Sequence, residues 1–377
     1  MENVFVKREG GEIESSMAVY LCERFYTRSW LCLGLLFIVC IGVNMIVFWS
    51  GFRIRSFNVF SKSHLHNRVE AIASDKTDNI PPESVELTET FPPVLLSLSN
   101  KTNSTTSQNI VPHDFKYVIN EPDTCRSPPI LIIIVCTAVK NYHPRVGVRS
   151  TWGSPEHLKL SNSKLVFLVG RVNSPFLQEK LENESKLYSD IVQADFVDSY
   201  QNLSIKSVVL LNWAKTYCAG SRFVLKADDD MYVNVPNLLK DLVKMTPPKF
   251  IMGHIFQGAK PIQDKRSKWY TPLNAFSEKV YPKYVSGTTY AMTTNSAADL
   301  YKASLEIKTF WLEDVYITGL LARKAGIPRF HNPKFNYITT PTTGCFFKDA
   351  ITGHRYYSAE LFKIHRELYS ANLTCKT

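Results

Sequence analysis

Three consecutive carboxylates open the case for chemistry in this chain. KADDDMYVN, residues 226–234, sets Asp228, Asp229 and Asp230 directly behind the apolar run RFVLKA (222–227). The carboxyl edge of a strand is where open α/β sheets meet their ligands. Two carboxylates separated by one residue can divide the work, one holding a divalent cation and the other a ribose or another hydroxyl. The cation then offsets the charge of a diphosphate leaving group. A solvated acidic turn is the competing reading of the triplet taken alone. An EF-hand is excluded, because Tyr232 occupies its third ligand position.

Two later segments add candidates that are weak in isolation. LEDVYITGLLARKAG (312–326) presents Glu313 and Asp314 side by side at the start of an expected helix, where negative charge also simply suits the dipole. GHRYYSAELFKIHREL places His354 just before another expected helix. A lone histidine is as readily a structural or surface residue as a metal ligand.

The elements that must position these groups are legible as apolar runs. PPILIIIVCTA (128–138), KLVFLVG (164–170) and RFVLKA read as short buried parallel strands. Between the second and third, Ile205, Val208, Val209 and Trp213 fall at helical spacing. Leu312, Val315, Tyr316, Gly319 and Leu320 repeat it before a stop at Gly326. Strand, helix, strand in alternation predicts an α/β sheet. No GxGxxG or Walker-type loop occurs, so a dinucleotide or ATP enzyme is unsupported.

The first third of the 377 residues reads differently. WLCLGLLFIVCIGVNMIVFW, residues 30–49, is uncharged and bracketed by tryptophans, which matches one membrane-spanning helix and exceeds the ~7–15 apolar residues of a cleavable signal peptide. Arg24 and Arg28 precede it; Arg53, Arg55, Lys62 and Arg68 follow it, a charge pattern that runs against a lumenal C-terminus. Five sequons, at Asn100, Asn103, Asn183, Asn202 and Asn372, argue for that lumenal placement. The Ser/Thr- and Pro-containing stretch after the span reads as a stalk. The expected division is a cytoplasmic tail (1–29), a signal-anchor (30–49), a flexible stem (50–125) and a catalytic domain (126–377). Of eight cysteines, five lie beyond the span, on the expected lumenal side. Cys136, inside ILIIIVC, is nominated as the free thiol, with Cys125–Cys218 and Cys345–Cys375 as hypotheses for the pairs. The formal charge of +10 is scattered along the chain, which favours anionic donors or membranes over nucleic acid.

Seven segments in order, RVGVRSTWG (145–153), FLVG (167–170), DFVDSYQNLSIK (195–206), YCAGSRFVLKADDDMYVN (217–234), KWYTP (268–272), YPKYVSGTTYAM (281–292) and LEDVYITG (312–319), resemble the β1,3-galactosyltransferase and β1,3-N-acetylglucosaminyltransferase family. The resemblance runs from about Pro128 to Cys375. It implies a GT-A-type nucleotide-sugar-binding mixed sheet flanked by helices, preceded by one transmembrane helix and a flexible stem, in a single-pass type II Golgi membrane protein with a lumenal catalytic domain. The implied activity is inverting transfer of a hexose, galactose favoured over N-acetylglucosamine, from UDP-galactose or UDP-N-acetylglucosamine to the 3-hydroxyl of a glycan acceptor on a glycoprotein or glycolipid.

Carried onto matching positions, the resemblance implies that Asp230 coordinates Mn2+ and His354 completes the metal shell, with His331 the competing histidine. Asp228 and Asp229 would hold the ribose or donor sugar, and Asp314 would be the general base, with Glu313 in support. Arg145 and Arg149, at i and i+4, either face donor phosphates or cover the sheet edge, and Lys226 carries the same two readings. Trp269, with Tyr270 and Tyr284, offers either a platform for a sugar face or core packing. Ala227 stands where many relatives carry Val or Thr, and Asp229 where some galactosyltransferases carry Ser; neither change touches the implied metal ligand. A catalytically silent lumenal glycan-binding or chaperone protein of the same fold is the alternative. Intact Asp228, Asp230 and Asp314 speak against it.

Overall fold

The computed structural model describes residues 114–375. The chain divides into Met1–Lys101 and Thr102–Thr377, and the described residues belong to the second unit. The expected span at 30–49, most of the stem, and the sequons at Asn100 and Asn103 lie outside the described residues. Among the described residues no helix is long and apolar enough to cross a membrane.

In chain order the strands are β1 (Tyr117–Ile119), β2 (Leu131–Cys136), β3 (Ser163–Arg171), β4 (Ile191–Val197), β5 (Phe223–Asp228), β6 (Met231–Val233), β7 (Ile251–Phe256), β8 (Tyr284–Thr293), β9 (Arg329–His331) and β10 (Thr352–His354). The helices are α1 (Tyr142–Arg149), α2 (Pro155–Leu160), α3 (Pro175–Tyr188), α4 (Leu203–Tyr217), α5 (Val235–Leu242), α6 (Thr294–Ser304), α7 (Val315–Leu321, continued by Ala322–Lys324) and α8 (Ser358–Leu368). Eight strands form one sheet in the order β1-β4-β3-β2-β5-β8-β7-β9. The central β4-β3-β2-β5 block is parallel, whereas β8 runs antiparallel to both β5 and β7. This is the mixed sheet flanked by helices that the resemblance implies.

The parallel centre follows from sequence. Along β2 every residue is buried, and successive side chains enter opposite layers: Ile132, Ile134 and Cys136 on one face, Leu131, Ile133 and Val135 on the other. A strand covered on both faces needs no polar alternation. Folded structure begins earlier than residue 126, however. β1 pairs with the sheet edge at β4, inside the stretch read as stem. Three residues are too few for a periodic signal.

A buried ion cluster locks α1 to the sheet edge. Arg145 is 1% exposed; its Nε and Nη2 donate to Glu184 Oε1 and Oε2 at 2.8 and 2.6 Å. Arg149 donates to the same Glu184 Oε1 at 2.6 Å and grips Asp190 with two further bonds of 2.7 and 2.8 Å. The donor-phosphate reading of both arginines is therefore corrected. Their donors are committed to protein carboxylates and, for Arg145, to the Ala138 and Val139 carbonyls. Removing the shared acceptor leaves the buried Arg145 cation without a carboxylate and Arg149 with Asp190 alone, a change that costs about 3–5 kcal/mol. Glu184→Ala is accordingly expected to lower the melting temperature steeply or to abolish soluble expression, as thermal denaturation would show.

Cys125–Cys218 and Cys345–Cys375 are disulfides, and Cys136 is a buried free thiol. Burial pushes that thiol up to about 12, which suits a small hydrophobe. Asn183 on α3 and Asn372 are exposed. Asn202 Nδ2 donates to the Val197 carbonyl at 2.8 Å, so this sequon's amide is engaged in the fold.

Candidate active site

The strand order reverses between β2 and β5, since the chain runs outward from β2 to β3 and β4 and then returns to β5. Such a switch point leaves a crevice beyond the carboxyl ends of the two strands. Cys136 at the end of β2 lies in register with Asp228 at the end of β5. The acidic triplet therefore opens into the crevice because of topology, and a cleft of about 580 Å³ runs from it.

The three aspartates diverge. Asp228 lines the cleft and accepts from Lys226 Nζ at 2.5 Å; the same ammonium reaches the Gly287 carbonyl. Burial pushes the Asp228 carboxyl up to about 6, with Lys226 opposing the rise. Lys226 is 5% exposed and committed to Asp228, so it braces the acidic edge and is not free for a phosphate. Asp229 Oδ2 accepts from Thr137 Oγ1 at 2.5 Å and Asn141 Nδ2 at 2.8 Å. These bonds tie the loop after β2 to the loop after β5, so Oδ2 of Asp229 braces the edge.

Asp230 takes a third direction. β6, starting one residue later, pairs antiparallel with β10, with Met231 opposite His354. That register carries a histidine 124 positions downstream to the acidic edge: His354 Nε2 stands 3.3 Å from Asp230 Oδ2. The Tyr356 N–H donates to the Asp230 carbonyl, and Trp152 Nε1 to the Met231 carbonyl at 2.8 Å, fixing both strands. His354 Nδ1 lies 2.8 Å from the Tyr337 carbonyl. An imidazole that donates from Nδ1 to a carbonyl keeps its Nε2 lone pair for a ligand. Burial pulls the His354 pKa down, yet the Asp230 carboxylate outweighs it and the net shift is upward. The competing His331 sits on β9 and uses Nδ1 to accept from the Ile255 N–H, so the structure brings His354 to Asp230.

Glu313 and Asp314 enter the cleft from the start of α7. This helix was expected to be α-helical, but it widens into a π-helix over Val315–Leu321. Thr318 Oγ1 donates to the Asp314 carbonyl at 2.6 Å and accepts from the Val285 N–H at 2.8 Å. A side chain thus takes the carbonyl that the α-helical ladder would use, and such turns recur at functional sites. Glu313 is buried, and its Oε1 accepts from Ser207 Oγ at 2.6 Å and Tyr290 Oη at 2.7 Å. Asp314 Oδ1 accepts from the Val315 N–H at 2.8 Å, and the Gly287 backbone also bonds to this carboxyl. Burial pushes the Asp314 carboxyl up to about 7, and the adjacent Glu313 adds to the rise. Gly287 makes this packing possible, because a Cβ there would stand 3.0 Å from Glu313 Oε2 and 3.2 Å from Asp314 Cβ.

Trp269 is 46% exposed on the cleft wall, with Lys268 Nζ 4.6 Å from its ring centre. Tyr200 and Trp311, with rings 6.4 Å apart, join the same wall. Sequence reasoning missed Tyr200, Ser207, Gly287 and Tyr290 as site residues. All but Ser207 stand inside the motif segments quoted above, where their types alone gave no role.

Comparison with known proteins decides the family. The galactosyltransferase family model matches residues 143–333, which include the acidic triplet and Asp314. The chain belongs to the galactosyltransferase family. It is 37% identical over 265 residues to beta-1,3-galactosyltransferase 1 of Mus musculus, covering 69% of this chain and 81% of that one. With the Homo sapiens lactosylceramide 1,3-N-acetyl-beta-D-glucosaminyltransferase it shares 35% identity over 252 residues, 64% of this chain and 66% of the relative. A solved galactosyltransferase with donor and acceptor sugar analogues is 12% identical at a TM-score of 0.33, over 64% of this chain and 97% of that one, too distant to bear on function. The galactosyltransferase match ends before His354, which reaches the site through the β6–β10 pairing.

Proposed function

We propose that this galactosyltransferase-family chain transfers a hexose, galactose ahead of N-acetylglucosamine, from a UDP-sugar to the 3-hydroxyl of a glycan acceptor with inversion, forming a β1,3 bond. One observation carries the reading. A single cleft holds a carboxyl poised near 7 at Asp314 and the imidazole of a carboxylate–imidazole pair, Asp230 with His354.

The pair fits Mn2+: one carboxylate oxygen and one imidazole nitrogen whose orientation is set through Tyr337. Among the described residues no group of three His, Cys, Asp or Glu side chains gathers to hold a metal. Asp230 and His354 would therefore be its protein ligands, the rest coming from donor phosphates and water. When bound, the cation supplies charge neutralisation for the departing diphosphate. Asp314 takes the proton from the acceptor hydroxyl as that oxygen bonds to the anomeric carbon and the C1–O bond to UDP breaks. A carboxyl with a pKa near the working pH is suited to that transfer. Retention would need a second carboxylate as nucleophile, yet Glu313 is buried with Oε1 held by Ser207 and Tyr290. Its role is to raise and orient Asp314. Trp269, with Tyr200 and Trp311, offers the aromatic wall for the acceptor's apolar face.

We place the chain in the Golgi membrane as a single-pass type II protein with its catalytic domain lumenal. Two disulfides support an oxidising compartment. The deciding experiment offers purified protein a panel of UDP-sugars with and without Mn2+ and follows UDP release and product linkage. Release of UDP from one hexose donor only with Mn2+, with a β1,3 product, is the expected result. Absence of both turnover and UDP binding would leave a silent fold in its place.

A further inference from the structure

Among the described residues, three that are not glycine adopt the left-handed backbone: Asn162, Ser189 and Arg355. The first two are ordinary. Asparagine tolerates that region, and Ser189 closes helix α3 as its left-handed cap. Arg355, at φ +68°, has neither excuse, and a bulky side chain there is strained. Glycine would serve the turn from β10 into α8 without strain, yet the chain places its longest cation at that point.

The surroundings suggest why. Arg355 directly follows His354 and lines the same cleft as Lys226, Asp228 and Asp314. It is exposed, and among the described residues it has no ion-pair or hydrogen-bond partner. Two other cations of the cleft are spent, since Lys206 Nζ is 2.6 Å from Asp198 Oδ1 and Lys226 is held by Asp228, while Lys268 lies against the Trp269 ring. Asp229 and Asp230 remain as negative charge at this edge, and a divalent cation would do no more than cancel them. A nucleoside diphosphate reaching Asp230 and His354 would then meet Arg355 as the adjoining cation, Lys260 and Lys268 being, among the described residues, the other unpaired cations that line the cleft.

We infer that Arg355 is a diphosphate clamp: its guanidinium binds the phosphates of the nucleotide donor and offsets the charge that accumulates on the leaving group. The inference rests on the transferase reading above. In the reaction the electron pair of the C1–O bond leaves on the β-phosphate oxygen, and Arg355 supplies fixed donors to that diphosphate as the charge develops. Its forked, permanently charged group suits bidentate phosphate contact in a way an ammonium does not.

The test is calorimetric binding of UDP, UMP and uridine to the full-length protein and to Arg355→Gly, with Mn2+ and with EDTA. Glycine keeps the left-handed turn, so the backbone is preserved, and an unchanged or higher melting temperature confirms it. UDP affinity is expected to fall about 10- to 100-fold while uridine affinity stays put, with Arg355→Lys in between. The loss should persist in EDTA. Equal UDP affinity in Arg355→Gly and wild type, or a parallel loss of uridine binding, overturns the clamp while leaving the transferase standing. Wild-type protein that binds no UDP overturns the transferase reading and the clamp with it.

Discussion

Asp314→Asn is expected to reduce kcat by about 10^2- to 10^4-fold while UDP affinity moves by less than about threefold, the pattern of a lost general base beside an intact donor site. The amide is nearly isosteric and can still accept the Val315 N–H that Asp314 Oδ1 now takes. Wild-type kcat/KM should decline as the pH falls through about 7, because the carboxyl must be ionised to accept a proton. That limb should be missing from the residual activity of the variant. Stability should move the opposite way. Below about 4 the carboxyl is protonated in both the folded and unfolded chain and contributes nothing. As pH rises from there, the unfolded carboxyl ionises first, and above about 7 the folded state carries the full penalty of a buried charge. The asparagine variant is thus expected to be more stable by about 1–3 kcal/mol at pH 8, discounting for water in the cleft, and equal to wild type near pH 4. Thermal melts across that range decide the matter. Near-wild-type turnover, or an acid limb unchanged in the variant, would sink the base assignment.

Asp230→Ala should be as damaging by a different route. It removes the carboxylate that meets His354 Nε2 at 3.3 Å, and with it Mn2+-dependent binding of UDP. A loss of about 10^3-fold in kcat/KM is expected, and about 10- to 100-fold for His354→Ala, where one ligand remains. The double variant should be little worse than Asp230→Ala, since the two act as one unit. Asp229→Ala, by contrast, frees Thr137 and Asn141 and should cost stability and donor affinity without erasing the metal response. Titration of Mn2+ against UDP binding separates the cases. An Asp230→Ala protein that keeps its metal response would reassign the site.

Much of this was readable in the residues, for specific reasons. β2, β3 and β5 are buried on both faces, so their apolar runs announce them, and a carboxylate triplet behind one of them marks a ligand edge. The positions of Asp228, Asp230 and Asp314 in one crevice follow from motif order once the sheet is granted. What the residues could not disclose was who partners whom. Arg145 and Arg149 show the same spacing whether they face a phosphate or a carboxylate, and Glu184, which claims them both, lies inside the Asn183 sequon of a helix that looks solvent-facing. His354 and His331 were likewise indistinguishable, because the choice rests on a three-residue pairing of β6 with β10 that has no periodic signature. Nothing around Asp229 in the sequence signals that Thr137 and Asn141, from the loop after β2, bond to its Oδ2.

The β6–β10 pairing also sets when this protein can become active. The imidazole beside Asp230 arrives on a strand 124 positions downstream, followed by α8, with Cys345 and Cys375 joined on either side of both. A growing chain that has already formed the parallel sheet, the acidic edge and the Asp314 helix still lacks half of the proposed metal-binding pair. Completion waits on the synthesis of β10. Chains interrupted or clipped before β10 would therefore retain much of the sheet but neither His354 nor Arg355, and with them would lose the proposed sugar transfer.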